Sequence, residues 1–149
     1  MNVIAKNKKA LFNYEILESY EAGISLLGSE VKSIREGRVS LKESYAEIRD
    51  GEVYLVSCHI SPYPPANRLN HDPLRERKLL LHRREIKRLL GKIKEKGLTL
   101  IPVKVLISQR GVVKVEIALA RGKKVHQKRE AIRERDRDRE MQAEMKRFR

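Results

Sequence analysis

The sequence predicts a mainly β fold with flanking helices. The expected core is an antiparallel barrel of the oligonucleotide-binding (OB) type over residues 1–120, followed by a basic tail over 121–149. Three observations lead there. Apolar and polar residues alternate at period two through several segments, the pattern of half-buried strand. Turn-forming residues at Asp50-Gly51 and at Gln109-Arg110-Gly111 each separate two such segments, as in hairpins. From Ala120 onward the chain holds almost nothing apolar to bury. Many short strands with antiparallel turns, and only two helical patterns, favour a closed barrel over βαβ winding.

In chain order, residues 13–28 read first as strand, with Tyr14 and Ile16 flanking Glu15 and with Ile24 and Leu26 flanking Ser25. Gly23 within it marks a bulge or bend. Residues 29–37 form one short helix: Val31 and Ile34 are three apart, Ser29 can cap it and Gly37 can close it. Residues 45–60 are a hairpin, because Asp50-Gly51 supplies the positive φ angles of a two-residue turn. Residues 61–73 carry four of the five prolines and read as a loop. The clearest helix spans 82–97. Its Ile86, Leu89, Leu90 and Ile93 share one face, with Arg83, Arg84, Lys87, Arg88 and Lys94 opposite and Gly97 at the end. A second hairpin follows, with Ile101, Val103, Val105 and Ile107 on one apolar face and Val113, Val115, Ile117 and Leu119 on its match.

Of 149 residues, 36% are charged and the net charge is +14. So basic a chain fits a polyanionic partner, nucleic acid or an anionic membrane surface. No run approaches the roughly 18 apolar residues of a membrane span, and the first residues lack a secretory h-region. No membrane partner is expected. Cys58 is the lone cysteine, which excludes internal disulfides and thiolate metal cages and suits the reducing cytoplasm.

The sequence offers no catalytic constellation. The Gly-Lys of ARGKK lacks the upstream glycine and the Ser or Thr of a phosphate loop. His59, His71, His82 and His126 include no pair at helical zinc spacing, and no G-x-S-x-G elbow occurs. Asp136, Asp138 and Glu140 alternate with arginines and lack the glycine of a calcium loop. We therefore expect no catalytic or metal site, no cofactor and no small-molecule substrate. A nuclease would need a carboxylate cluster for its metals, and only scattered glutamates are present.

Basic residues point to a binding role instead. Arg75, Arg77 and Lys78 lie beside the basic helix, Lys8 and Lys9 open the chain, and Lys104 and Lys114 point away from the apolar faces of the last hairpin. Phe12, Tyr14, Tyr45, Tyr54 and Tyr63 could stack on bases, but a barrel of this size is expected to use aromatics in its core. Affinity is thus expected from phosphates and shape. The tail, Arg121 to Arg149, holds twelve Lys or Arg and six Asp or Glu. Its cation-dense start supplies Lys123 and Lys124 as candidate contacts. Within RERDRDRE, opposite charges at i,i+3 and like charges at i,i+4 nearly cancel, so an isolated helix is marginal. The expectation is disorder when free and helix on a polyanion.

Long motifs in order and spacing, NKKALFNY, YEAGISLLGSEVKSIREG, DGEVYL, DPLRERKLLLHRREIKRL and LARGKKVHQKRE, resemble the small protein B family of transfer-messenger RNA (SsrA RNA) binding proteins. The resemblance covers nearly the whole chain. It implies an OB-type barrel that binds the tRNA-like domain of that RNA and delivers it to stalled ribosomes for trans-translation. It also implies a tail that orders in the vacant messenger channel near the decoding centre. The partners implied are transfer-messenger RNA and the ribosome, including 16S and 23S ribosomal RNA, with the free protein a monomer. By similarity, Glu21, Leu80 and Lys114 fall on the family's RNA-binding face, and His126, Lys128 and Arg129 in the stretch used at the decoding centre. Two other classes fit the composition: a basic structural ribosomal protein, or another OB-fold RNA-binding protein.

Overall fold

The structure, a computed structural model, describes residues 2–95, 97–123 and Arg139. Its elements are β1 (Asn2–Lys6), α1 (Lys8–Asn13), β2 (Tyr14–Ile24), α2 (Gly28–Arg35), β3 (Val39–Ser40), β4 (Tyr45–Arg49) and β5 (Glu52–Val56). There follow β6 (His59–Ile60), a 3-10 helix (Pro64–Leu69), β7 (Arg77–Leu80), α3 (Arg83–Ile93), β8 (Leu98–Ile107) and β9 (Val113–Gly122). Strands β8-β4-β5-β7-β2-β9 follow one another through antiparallel pairings, and β9 pairs back onto β8. The sheet is therefore a closed barrel with no free edge in the ring. β1 lies outside the ring, on the half of β8 that β4 leaves uncovered. β3 and β6 form a separate two-stranded sheet.

Both expected hairpins form. Asp50 and Gly51 take φ of 51° and 76°, so the two-residue turn matches the right-handed twist of the strands it joins. The second turn closes with the Gly111 N–H on the Ser108 carbonyl at 2.9 Å, and Gly111 at φ 81°. Leu79, Val115, Ile117 and Leu119 are essentially inaccessible in the barrel interior, where Ile34 of α2 and Leu89 of α3 join them. That interior is aliphatic. Phe12, Tyr14, Tyr54 and Tyr63 are only half-buried and Tyr45 is exposed, so the expected aromatic core is corrected.

The predicted single apolar face of β8 is also corrected. Register with β9 shifts between Pro102 and Lys104, leaving Val103 as an extra residue. A bulge reverses which side-chain parity faces inward. Leu100 and Val105 consequently enter the barrel, whereas Ile101 and Val103 pack with Ala10, Ala118 and Ala120 in a second cluster under α1. Pro102 has no N–H to give a ladder and sits beside the bulge, where it is tolerated. Asn7 fits this irregularity. Its side-chain amide donates to the Pro102 carbonyl at 3.0 Å, its own N–H donates to the Val103 carbonyl at 2.8 Å, and its Oδ1 caps α1 by accepting from the Ala10 N–H at 3.1 Å. The β2 bulge falls at Leu17, between Ile16 and Glu18, and not at Gly23, which keeps regular register.

Helix α2 ends as expected. Gly37, at φ 77°, donates to the Ile34 carbonyl at 2.9 Å and Arg38 donates to the Ser33 carbonyl at 2.9 Å, the two bonds of a Schellman close. Its start differs. Glu30 reaches back to accept from the Leu27 N–H at 2.7 Å, while Ser29, the expected cap, instead meets His71 Nδ1 at 2.8 Å. The helix buries Ser29, Glu30 and Ser33, and its two serines meet the proline-rich loop. The Ser33 hydroxyl donates to the Ser61 carbonyl at 2.6 Å, His71 Nε2 lies 2.8 Å from the Ile60 carbonyl oxygen, and Lys32 sits 5.5 Å from the Tyr63 ring centroid. These contacts fasten both ends of the loop. His71, which could be read as a base beside Asp72, is therefore a buried structural link.

Candidate nucleic-acid interface

Strand parity decides which sequence-predicted residues can meet a partner. Ala22, Leu79, Val113 and Val115 point into the barrel, so Glu21, Gly23, Leu80 and Lys114 point out. Gly23 is directly opposite Leu80 on β7 and Lys114 on β9. Lys114 is opposite Leu106 on β8, and Leu106 is opposite Val3 on β1. One transverse row thus runs Leu80–Gly23–Lys114–Leu106–Val3. The next row runs Glu21–Glu116–Lys104–Lys6, with Lys104 and Glu116 paired at 3.3 Å. Glu21, Leu80 and Lys114, well separated along the chain, therefore share one patch. Leu80 is 53% exposed there, and among the described residues neither Glu21 nor Lys114 has an ion-pair partner. A shallow depression of about 210 Å³ beside the patch is lined by Ser19, Tyr20, Glu21, Leu106 and Glu116.

Lys78 extends the patch along β7, two residues before Leu80. It is opposite Tyr54 and 3.3 Å from Glu52. Arg77 does not belong to the surface, which corrects the sequence reading. Its side chain is fully buried, because the parity that turns Lys78 outward turns Arg77 inward. It donates to Glu30 Oε2 at 2.5 Å and to the carbonyls of Cys58, Pro73 and Asp72 at 2.6, 3.2 and 3.3 Å. Arg75 is half-exposed but committed to the same carboxylate, at 2.6 Å, and to the Ser25 carbonyl. Burial would raise the Glu30 carboxyl, but hydrogen bonds from Arg75, the Leu27 N–H and Arg77 outweigh it and hold it below its ordinary range. No buried side-chain polar atom is left unpaired among the described residues.

On α3 the apolar arc is as expected at Ile86 and Leu89, with Arg83, Arg84, Lys87 and Lys94 exposed opposite. Arg88 is engaged with Glu18 on β2 at 2.7 Å, and the Tyr20 hydroxyl donates to the same carboxylate at 2.6 Å. The Arg88 and Tyr20 hydrogen bonds pull Glu18 down to about 2, and burial together with the carboxylate raises the Tyr20 hydroxyl. A depressed carboxyl stabilises the fold above its unfolded value, 4.5, and that contribution fades as pH falls toward about 2. Titration of the Glu18 side-chain carbon by NMR should place its midpoint well below the ordinary value of 4.5. In Arg88→Ala the midpoint should return toward the ordinary range. A Glu18 midpoint that ignores Arg88 would remove the pairing.

Of the tail candidates, Lys123 lies just past β9, with its N–H on the Asn13 carbonyl at 2.8 Å. Lys124, His126, Lys128 and Arg129 lie outside the described residues. Cys58 is buried and its thiol is pushed up to about 11 by that burial, so it is unreactive. Among the described residues no group of His, Cys, Asp and Glu is placed to hold a metal ion, and no helix is long and apolar enough to cross a membrane.

Comparison with known proteins adds to this geometry. The family model described as SmpB protein matches residues 4–147. An SsrA-binding protein of Syntrophobacter fumaroxidans is 58% identical over 147 residues, 99% of this chain and 91% of that protein. One from Persephonella marina is 57% identical over 146 residues, 98% of this chain and 95% of its own length. A solved chain described under "tmRNA-SmpB: a journey to the center of the bacterial ribosome" superposes with a TM-score of 0.69 at 53% identity, covering 81% of this chain and 85% of that one.

Proposed function

The chain belongs to the SmpB family, and from that premise we propose that it is the RNA-binding adaptor of ribosome rescue. It binds the tRNA-like domain of transfer-messenger RNA and delivers that RNA to stalled ribosomes for trans-translation. The observation that carries the reading is the outward patch of Glu21, Leu80 and Lys114, an apolar tip on β7 beside an acid on β2 and a base on β9 that have no ion-pair partner among the described residues, on a chain of net charge +14. Lys114 and Lys78 meet phosphates, Leu80 rests on a base or sugar, and Glu21 accepts from ribose hydroxyls or base N–H groups, since it would repel phosphate. The basic segment after Lys123, including Lys124, His126, Lys128 and Arg129, engages ribosomal RNA near the decoding centre. The adaptor works in the cytoplasm and performs no chemistry of its own.

Titration of the tRNA-like RNA at two salt concentrations tests this. Lys114→Glu should weaken binding roughly tenfold at low salt and lower the magnitude of the log–log salt slope by about one. An unchanged slope would take Lys114 off the phosphate path. Tight binding off the ribosome separates an adaptor from a structural ribosomal protein. Magnesium-dependent cleavage of the RNA would replace the adaptor with a nuclease.

A further inference from the structure

In the outward row, the residue between Leu80 and Lys114 has no side chain. Gly23 is hydrogen-bonded between β7 and β9, and its φ lies outside the left-handed region, so the backbone conformation does not demand glycine. A glycine inside a strand also weakens the sheet, through chain entropy and lost side-chain packing. What it provides is room. A Cβ on residue 23 would stand 3.3 Å from Leu80 Cβ, 3.5 Å from its Cδ1 and 3.8 Å from its Cγ. The first contact is tight, and it falls between β-carbons on paired strands, which no rotamer change can separate. Leu80 therefore lies against the bare backbone of Gly23 with its Cβ and Cδ1 while keeping 53% of its surface exposed.

We propose that Gly23 is a positioning residue of the RNA interface. By leaving out a side chain it lets Leu80 lie flat over β2, as a level apolar ledge beside Lys114. The ledge receives the base or sugar face of the tRNA-like RNA while the ammonium takes a neighbouring phosphate. This rests on the RNA-binding reading above. The two contacts respond differently to salt: phosphate neutralisation releases counterions, and apolar contact with a base or sugar does not.

The test is a cycle of Gly23→Ala, Leu80→Ala and the double variant, read by affinity for the tRNA-like RNA at two salt concentrations and by thermal melting. Leu80→Ala should lose roughly tenfold in affinity, as expected for one leucine's apolar contact. Gly23→Ala should lose roughly three- to tenfold, with an unchanged salt slope and a cooperative melting transition retained. In the Leu80→Ala background, adding Gly23→Ala should change affinity by less than about twofold. Leu80→Ile, which keeps the glycine but branches the side chain at Cβ, should lose affinity like Gly23→Ala and covers the case in which the latter fails to fold. Unchanged affinity in both Gly23→Ala and Leu80→Ile overturns the ledge. So does an equal Gly23→Ala loss in both backgrounds, which would mark a merely structural glycine. If the wild type ignores the RNA, or Leu80→Ala binds as wild type, the RNA-binding reading of this face falls with it.

Discussion

Replacing Glu30 with alanine is expected to cost about 3–5 kcal/mol, enough to leave a protein of ordinary stability barely folded. The loss comes less from the ion pair than from what remains. Arg77 would stay fully buried with its charge opposed only by the Cys58, Asp72 and Pro73 carbonyls, and Arg75 would lose its anchor. Glu30→Ala combined with Arg77→Met should recover much of the loss, because an apolar pair avoids the desolvation that a buried ion pair suffers. Urea unfolding of the three variants measures this, and a double variant no more stable than Glu30→Ala would contradict it. The pH dependence has a definite sign. The Glu30 carboxyl is held below its ordinary value of 4.5, so its contribution is complete above that pH and declines as pH falls. Wild type should lose stability on acidification more steeply than the double variant.

Ending the chain after Lys123 is expected to spare the fold and abolish ribosome rescue. β9 ends at Gly122, two residues beyond the boundary read from the sequence, and Lys123 still donates to the Asn13 carbonyl. A cut after Ala120 would instead remove Arg121 and Gly122 from their pairing with Glu15 and Tyr14. The segment removed after Lys123 carries ten Lys or Arg and six Asp or Glu. Affinity for the tRNA-like RNA off the ribosome should fall less than about threefold, since only long-range attraction is lost there. Peptide tagging on a message without a stop codon, in a reconstituted translation system, should disappear. Tagging that persists would show that the segment is dispensable, and a truncated chain that no longer binds RNA would move the interface out of the barrel.

The barrel was legible because its signals are local. Asp50-Gly51 and the turn at Gly111 declare hairpins, and Val113 to Ile117 alternate without interruption. β7 was not legible. Its four residues, Arg77 to Leu80, mix an inward arginine with leucines, so no period-two signal survives. Arg77 looked like a surface cation because sequence cannot announce a buried carboxylate partner 47 positions away. The same blindness applies to α2, where Ser29 reads as a cap but is buried against His71, and where nothing in the sequence marks Glu30 and Ser33 as buried. The patch of Glu21, Leu80 and Lys114 could be named only through family resemblance. Nothing in composition or spacing says that Gly23 joins the strands carrying them.

Strand β1 has a consequence for association between chains. Because the ring closes through β8 and β9 without it, none of the ring's own pairings depends on β1, whose four pairings with β8 could be exchanged while α1 stays packed on Ile101, Val103, Ala118 and Ala120. Releasing β1 would bare the backbone donors and acceptors of Lys104 to Ile107. An extended segment from another molecule, the Asn2–Lys6 of a second copy included, would fit that vacancy by strand exchange, linking two barrels without unfolding either.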